Sequence, residues 1–420
     1  RRAVAALGRA LPAGRNRRRE LLAAIDASAL VRALPLWVGT LRDVDDLLPV
    51  DPAMFDVVIV DEAAQVDQFS AAGALLRGAA AVVVGDPRQL RHVSFVADAD
   101  VAATLEERGV AELADRLDVR RMALFDVAAG AAPVTWLDEH FRSVPHLISF
   151  SARRFYDDRV LVATRNPVNE SEDAVEVVRV GPGEEVAAAV DLIAALVAAG
   201  RRSIGAVSPF RESADALEAA LVERFSPEQI VEAGLRAGTA HSFQGGERDH
   251  VVVVLGLSAD DPANRWRFVE DPNLFNVLVT RARHRLTVVT ALPPDGARPG
   301  IVADYLRHAQ SPPAPVPATE ADAAWVAQLA SELARHEIAV RPGYRVGRWA
   351  VDLCAGTGAA AVALDCVPHA EGPAAHIARH RALRLAGWSV IDAFPSRWDG
   401  NAVEAAITLA ADLAPGAADL

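Results

Sequence analysis

The segment Phe55-Asp56-Val57-Val58-Ile59-Val60-Asp61-Glu62-Ala63-Ala64-Gln65 constrains this chain more than any other. Its β-branched apolar run has the length and composition of a strand buried in a parallel sheet. The run ends in two adjacent carboxylates, with a glutamine just beyond. In open α/β sheets ligands sit at the carboxyl ends of the strands, which is where Asp61 and Glu62 emerge. One carboxylate there can hold a Mg²⁺ bound to nucleotide phosphates while its neighbour orients and deprotonates a water. Taken alone, the pair reads more simply as two solvated carboxylates at a strand end.

A chain of 420 residues has room for two or three domains with proper cores. Apolar residues make up 51 % of it, yet the longest runs, such as Val251–Leu255, are strand-sized, so no membrane span is expected. The basic start is not followed by an apolar segment and cleavage site, so it does not read as a signal peptide. A chain opening at Arg1 reads as part of a longer polypeptide. Two cysteines, Cys354 and Cys366, make no disulfide framework, and a reducing cytoplasm is the expected location. The net charge of −13 argues against a uniformly basic surface, although a local groove can still neutralise phosphates. All 43 basic residues are arginine, a usage that fits coding bias in a GC-rich genome. The missing lysine matters only for a mechanism that needs one at a particular site.

Strands are expected at Val57–Val60, Ala81–Val84, Val175–Val180, Ile204–Ser208, Val251–Leu257 and Leu286–Thr290, with helices such as Glu185–Ala199 and Ser213–Phe225 between them. That alternation implies βαβ units in two successive α/β domains, 1–125 and 126–308. Residues 309–318 are proline-rich and read as a semi-rigid linker. The tail, 319–420, reads as helix Asp322–His336, strands Trp349–Cys354 and Ala361–Cys366, helix His376–Ala386, strand Ser389–Phe394 and helix Ala402–Leu413.

Further segments change the odds on the carboxylate pair. Ala81–Leu90 is a second buried strand opening into Gly85-Asp86-Pro87, with Gln89 beyond; on an adjacent parallel strand its amide would lie near Asp61 and Glu62 and could sense a γ-phosphate. Downstream come HFRSVP (140–145), FSARRFY (150–156), SPFR (208–211), TAHSFQGGE (239–247) and NVLVTRAR (276–283). With VDEAAQ (60–65) and GDPRQL (85–90), this ordered series resembles motifs II through VI of superfamily 1 helicases of the Upf-like branch. It spans most of 55–290.

The resemblance implies a fold of two RecA-like parallel-sheet domains, the first truncated at its N-terminus, and Mg²⁺-dependent ATP hydrolysis coupled to 5′-to-3′ movement along single-stranded DNA or RNA. It makes Asp61 the Mg²⁺ ligand, Glu62 the water-activating base and Gln89 the γ-phosphate sensor. Arg142 and Arg281 become arginine fingers, and Gln65, Gly245 and Glu247 nucleotide contacts. Thr40, Thr239, His241 and Ser242 match positions that touch the nucleic-acid backbone, where hydroxyls and amides position a strand without reading sequence. Turn-forming hydroxyls are the alternative for each. Phe243 and Trp136 read as core residues rather than as stacking platforms. Fingers on one domain and carboxylates on another would make hydrolysis depend on domain closure. The family's Gly-Lys-Ser/Thr phosphate loop has no counterpart here and is expected upstream of Arg1, so residues 1–420 alone are expected to hydrolyse ATP negligibly.

In the tail, Asp352 and Asp365 on neighbouring strands, followed by the basic stretch Arg379–Ile391 with its Gly387-Trp388, resemble a small α/β restriction-endonuclease-like fold of the very-short-patch-repair type. Two such carboxylates can hold a Mg²⁺ for phosphodiester cleavage, and His369 joins them as a candidate. The family's acid-x-Lys reads Asp365-Cys366-Val367 here, which points to a DNA-binding or altered nuclease. Val351–Gly358 superficially matches a methyltransferase glycine loop, but Gly356-Thr357-Gly358 reads better as a hairpin turn. Cys366, His369, His376 and His380 have zinc-like spacing, with a buried strand cysteine as the competing reading. For the whole, a degenerate ATPase scaffold acting as a non-motor DNA-binding adaptor is the alternative to a motor.

Overall fold

The apolar run at Phe55 forms strand β1 (Phe55–Val60), which pairs in parallel with β2 (Gly78–Val83), Val60 lying opposite Val83. The computed structural model describes residues 2–94, 96–315, 317, 319–321 and 323–413. It divides into two compact units, Arg1–Trp136 and Leu137–Leu420. Val316 of the expected linker, Asp322 of the expected helix and the end of the tail beyond 413 lie outside the described residues.

In the first unit, helix Gln68–Leu76 crosses between β1 and β2, completing a βαβ unit. Its N-terminus is held by the Asp67 carboxylate, which accepts from the amides of Phe69 and Ser70. Val60 packs on Ala63, Ala71 and Leu124, and Val58 leans on the same core. On the opposite face, Val57 is 49 % and Ile59 67 % exposed, so a strand composed for burial on both sides is covered here on one. Four short helices precede β1 and share a core of Leu7, Leu22, Leu30 and Leu48. Residues 126–136, read from sequence as the start of the next domain, group with this unit. The reason is helix Leu124–Ala131, which seats Leu124 and Phe125 on the β1 core.

The second unit opens with a small parallel pair, β3 (Glu139–His140) and β4 (Leu161–Val162). A five-stranded sheet follows: β5 (Val175–Arg179), β6 (Ile204–Ser208), β7 (Arg236–Thr239), β8 (Arg248–Val254) and β9 (Ala282–Thr290). The order is β5-β9-β8-β6-β7 and every pairing is parallel. Helices Glu185–Ala198 and Arg211–Arg224 cover one face, burying Ile193, Leu217 and Leu221 against Ile204, Val252 and Val289. Strand β7 was not expected from sequence, and β8 begins at Arg248, ahead of the expected Val251.

His146 and His308 meet edge-on in this unit, their ring centroids 4.8 Å apart and both side chains buried. Each ring has a complete set of partners in its neutral form. His146 accepts the Ala174 amide at Nδ1 (3.1 Å) and faces the His308 carbonyl with Nε2; His308 Nε2 faces the His146 carbonyl (2.9 Å) while Nδ1 takes Arg153. The tautomers follow from those partners. Burial lowers both pKa values, that of His308 to about 4. The stability they contribute is therefore fully present above their unfolded value of about 6.5 and is lost as pH falls toward about 4. Protonation of His308 alone is worth up to about 3 kcal/mol. Thermal midpoints should fall through that window, and His308→Gln should flatten the decline; an unchanged pH profile in the variant would refute the assignment.

The tail adds β10 (Val340–Val346), β11 (Trp349–Ala355), β12 (Val362–Asp365) and β13 (Val390–Asp392). They lie in that order, antiparallel up to β12 and parallel between β12 and β13. Strand β10 was not expected. Helices Ala324–Arg335 and Ala402–Leu413 cover one face through Leu329, Leu333 and Leu409 on Leu353 and Leu364; Leu383, from helix Pro373–Leu385, packs with Tyr344 and Trp388 on the other. Gly356 (φ 93°) and Gly358 (φ 53°) lie in the β11–β12 hairpin connection, where a Cβ on Gly356 would meet the Ala360 carbonyl at 2.7 Å. A hairpin, not a strand-loop-helix, rules out the methyltransferase loop.

This tail is docked on the rest of its unit. Glu170, 5 % exposed, accepts from Arg341 (2.6 Å) and from the Tyr344 hydroxyl (2.9 Å). Arg348 binds Asp138 (2.7 Å) and Glu139 (2.8 Å), and the Trp388 indole donates to the Arg165 carbonyl at 3.1 Å. No helix among the described residues is long and apolar enough to cross a membrane.

Candidate nucleotide and nucleic-acid site

In the first unit the loops after β1 and β2 are knitted into one surface. Val84 donates to the Val60 carbonyl (2.8 Å), Ala63 to Val84 (2.8 Å) and His92 to Ala64 (2.8 Å). Gly85 is needed for this closeness: a Cβ there would sit 3.0 Å from both the Ala64 nitrogen and Phe125. The chain turns sharply at Glu62, whose φ of 53° is uncommon for a residue with a Cβ. Asp61 Oδ1 accepts the Glu62 amide at 2.8 Å, and Gln65 donates its side-chain amide to Glu62 at 2.9 Å. The Gln89 amide donates to Asp86 at 2.9 Å, so its partner is its own loop's carboxylate rather than Glu62. Thr40 caps helix Leu41–Leu47 in a reciprocal box with Asp43, its hydroxyl 2.7 Å from the carboxylate. Trp136 is 45 % exposed, contrary to its reading as a core residue.

The second unit assembles a charged recess of about 600 Å³ lined by Glu139, His140, Phe141, Arg142, Glu247 and Arg283. Glu247 is its hub, accepting from Arg142 on one oxygen and Arg283 on the other. Burial pushes the Glu247 carboxyl up, but the two guanidiniums outweigh it and hold it below the usual range. Backbone links fix the pair of arginines: the Ser143 hydroxyl donates to the Ala282 carbonyl (2.7 Å) and Val144 N to the Arg283 carbonyl (3.0 Å). His140 accepts the Ser143 amide (2.8 Å), and burial together with Arg142 lowers its pKa to about 4, keeping it neutral. Arg283 and His140 were not singled out from sequence. Arg283 had a signal, since it shares the NVLVTRAR motif with Arg281.

Arg281 is placed differently from the exposed finger expected of it. Its side chain is 2 % exposed and donates to the carbonyls of Val277 (3.0 Å) and Gly246 (3.3 Å) and to Thr280 Oγ1 (3.1 Å). It ties the glycine loop of 245–246 to the end of helix Pro272–Val279. Thr239 caps the short helix Ala240–Phe243, accepting the Ser242 amide at 3.2 Å, while the Ser242 hydroxyl donates back to Thr239 O at 2.9 Å. His241 and Ser242 are exposed beside them. Gly245 adopts φ 72°, and Phe243 is fully buried, as core.

In the tail, Arg379 lies between the two candidate nuclease carboxylates. It donates to Asp352 Oδ1 at 2.7 Å, to Asp365 Oδ1 and to the Val367 carbonyl at 3.3 Å. Asp352 Oδ2 also accepts the amides of Cys366 (2.8 Å) and Val367 (3.0 Å). A guanidinium therefore already bridges the two carboxylates, through Asp352 and one oxygen of Asp365. His369 does not join them; its ring stacks edge-on against Trp349 and accepts the Glu371 amide. Cys366 is buried, and burial pushes its thiol well up, as for an inert strand cysteine. Of the four residues with zinc-like spacing, only His376 and His380 come together, with Asp365 as their partner.

Two family models, each described as an AAA domain, match residues 39–95 and 169–292. An uncharacterized ATP-dependent helicase of Mycoplasma pneumoniae is 25 % identical over 283 residues, 61 % of this chain and 25 % of that protein. Its Mycoplasma genitalium counterpart is 26 % identical over 285 residues, with the same shares. The chain thus spans about a quarter of the length of the curated relatives it matches. Among solved structures, the PRRSV helicase superposes with a TM-score of 0.30 at 18 % identity, covering 56 % of this chain and 34 % of that one. The C-terminal domain of a possible DNA helicase from Lactobacillus plantarum does so with a TM-score of 0.26 at 21 % identity, covering 39 % and 95 %. The two blocks similar to AAA domains hold, between them, Thr40, Asp61, Glu62, Gln89, Glu247 and Arg281.

Proposed function

We propose that this chain is part of an ATP-driven helicase or translocase moving 5′ to 3′ along single-stranded nucleic acid, built on two RecA-like domains. The observation that carries the reading is the joining of VDEAAQ and GDPRQL at the carboxyl ends of adjacent parallel strands, in a chain similar over 61 % of its length to ATP-dependent helicases. Asp61 fits a Mg²⁺ carried by the nucleotide, since its carboxylate is exposed at a strand end. That ion would neutralise phosphate charge. Glu62, steered by Gln65, takes the proton of the attacking water; Gln89 reads the γ-phosphate once it leaves Asp86. Arg142 and Arg283 leave Glu247 for the phosphates, and Arg281 holds the 245–246 loop against which Glu247 is set. Thr239, His241 and Ser242 are the second unit's contacts to the nucleic-acid backbone, and Thr40 is the first unit's.

For the tail we propose a restriction-endonuclease-like fold that binds DNA without cleaving it through Asp352 and Asp365. The support is Arg379, which occupies the place between those carboxylates that a Mg²⁺ would need. The test is ATP hydrolysis by the full natural chain with and without single-stranded DNA or RNA, followed by unwinding of a forked duplex. Turnover stimulated at least about tenfold by nucleic acid is expected for a motor. ATP-independent DNA binding with no turnover would replace it with the adaptor reading.

A further inference from the structure

We propose that the tail binds one transition-metal dication of the zinc class through Asp365 Oδ2, His380 Nε2 and a ring nitrogen of His376. The site is separate from the nucleotide chemistry and adjoins the Asp352–Arg379 ion pair, and it stands whether or not the chain is a motor. His376 and His380, one helical turn apart on Pro373–Leu385, present their rings to the end of β12. Ligand atoms of the three residues all lie within 4.8 Å of one another. Asp365 Oδ2 is 2.7 Å from His380 Nε2 and 3.2 Å from a His376 nitrogen.

Those short approaches are not hydrogen bonds. Asp365 Oδ2 and His380 Nε2 are buried atoms without a hydrogen-bond partner, and Asp365 is 4 % exposed; on His376 it is Nε2 that faces Asp365, while Nδ1 is buried and unpartnered. A buried carboxylate oxygen left unpaired beside two imidazoles is costly unless something binds it. Donor atoms about 3 Å apart that do not point at each other suit a common ion. Its other oxygen is already fixed: Arg379 holds Asp365 Oδ1, and Arg379 is held in turn by Asp352. Such outer partners orient ligands in metal sites. The charge fits too, because Asp352, Asp365 and the nearby Asp392 outnumber Arg379.

Two imidazoles and one carboxylate select Zn²⁺-class ions over Mg²⁺, which prefers all-oxygen shells. Three protein ligands leave a position for water or for a further group, and Asp392 Oδ1 lies 3.8 Å from His380 Nε2.

The test uses the untagged full chain stripped with chelator, reloaded with Zn²⁺ and freed of excess. About one zinc per chain should be retained in the presence of millimolar Mg²⁺, and His376→Gln with His380→Gln should lower it at least about tenfold, whereas His369→Gln should not. Co²⁺ substitution of the unaltered chain keeps the proposal open to refutation if the double variant misfolds. Visible d–d bands without a thiolate charge-transfer band are expected. Equal zinc in wild type and a folded double variant, displacement by Mg²⁺, absence of the Co²⁺ bands, or a thiolate band implicating Cys366 would each overturn it.

Discussion

If the proposed motor function holds, Arg142→Ala is expected to lower the nucleic-acid-stimulated ATP turnover of the full natural chain by about a thousand- to a hundred-thousand-fold, the range that an arginine finger commands. Its guanidinium is about half exposed and shared with Glu247, so it can exchange a carboxylate for a phosphate without unfolding anything. The loss should fall on kcat, with nucleic-acid affinity nearly unchanged, because an arginine finger acts on charge that develops in the transition state. Arg142→Lys should recover little, since a point charge does not reproduce a fork of donors. Arg281→Ala is a poorer test, for its side chain is buried among backbone carbonyls and its removal would disturb the 245–246 loop as well. Turnover of the Arg142→Ala chain within tenfold of wild type would remove Arg142 from the chemistry.

Arg379→Ala destabilises the tail by about 3–5 kcal/mol, the cost of removing one partner from a buried charge cluster. Arg379 is 5 % exposed and Asp365 4 %, and the variant leaves two carboxylates facing each other across the vacated space. Burial already pushes the Asp365 carboxyl up, against the pull of Arg379 and the two histidines; without the arginine it rises further. Hydrogen exchange in β11, β12 and helix Pro373–Leu385 should accelerate, while strands β5–β9 keep their protection. Added Mg²⁺ should restore part of that protection, because the cleared carboxylates then resemble the two-acid metal site that Arg379 now blocks. Unchanged exchange in the variant would show that the arginine bridge is not what holds these strands together.

The parts of the fold that could be read in the sequence were those written in β-branched runs. Val57–Val60, Val82–Val84 and Val251–Val254 announce strands because no other local conformation suits consecutive Val and Ile so well. Strand β10 was hidden by Pro342 and Gly343, which look like a turn; as the edge of its sheet, it tolerates a missing amide, and Gly343 takes φ 62° within it. Strand β7 is likewise an edge, four residues long and interrupted by Gly238. Asp61 and Glu62 could be placed at a strand end because they follow β1 directly, whereas Gln89 lies six residues beyond β2 and turns to its own loop's Asp86. The Arg142–Glu247–Arg283 cluster and the Arg379 bridge were not, since each joins segments brought together only by the sheet order and by one helix lying on two strands. Arg379 read as the start of a basic stretch, yet its own helix turns it inward.

The grip of Arg348 on Asp138 and Glu139 has a mechanical side. Those two residues run straight into His140–Arg142, so the tail is bolted to the strand that carries the proposed finger, and Glu170 and the Trp388 indole add two more fixings. A load taken up by the tail would reach Arg142 through a few short, stiff links rather than dissipate in the proline-rich stretch.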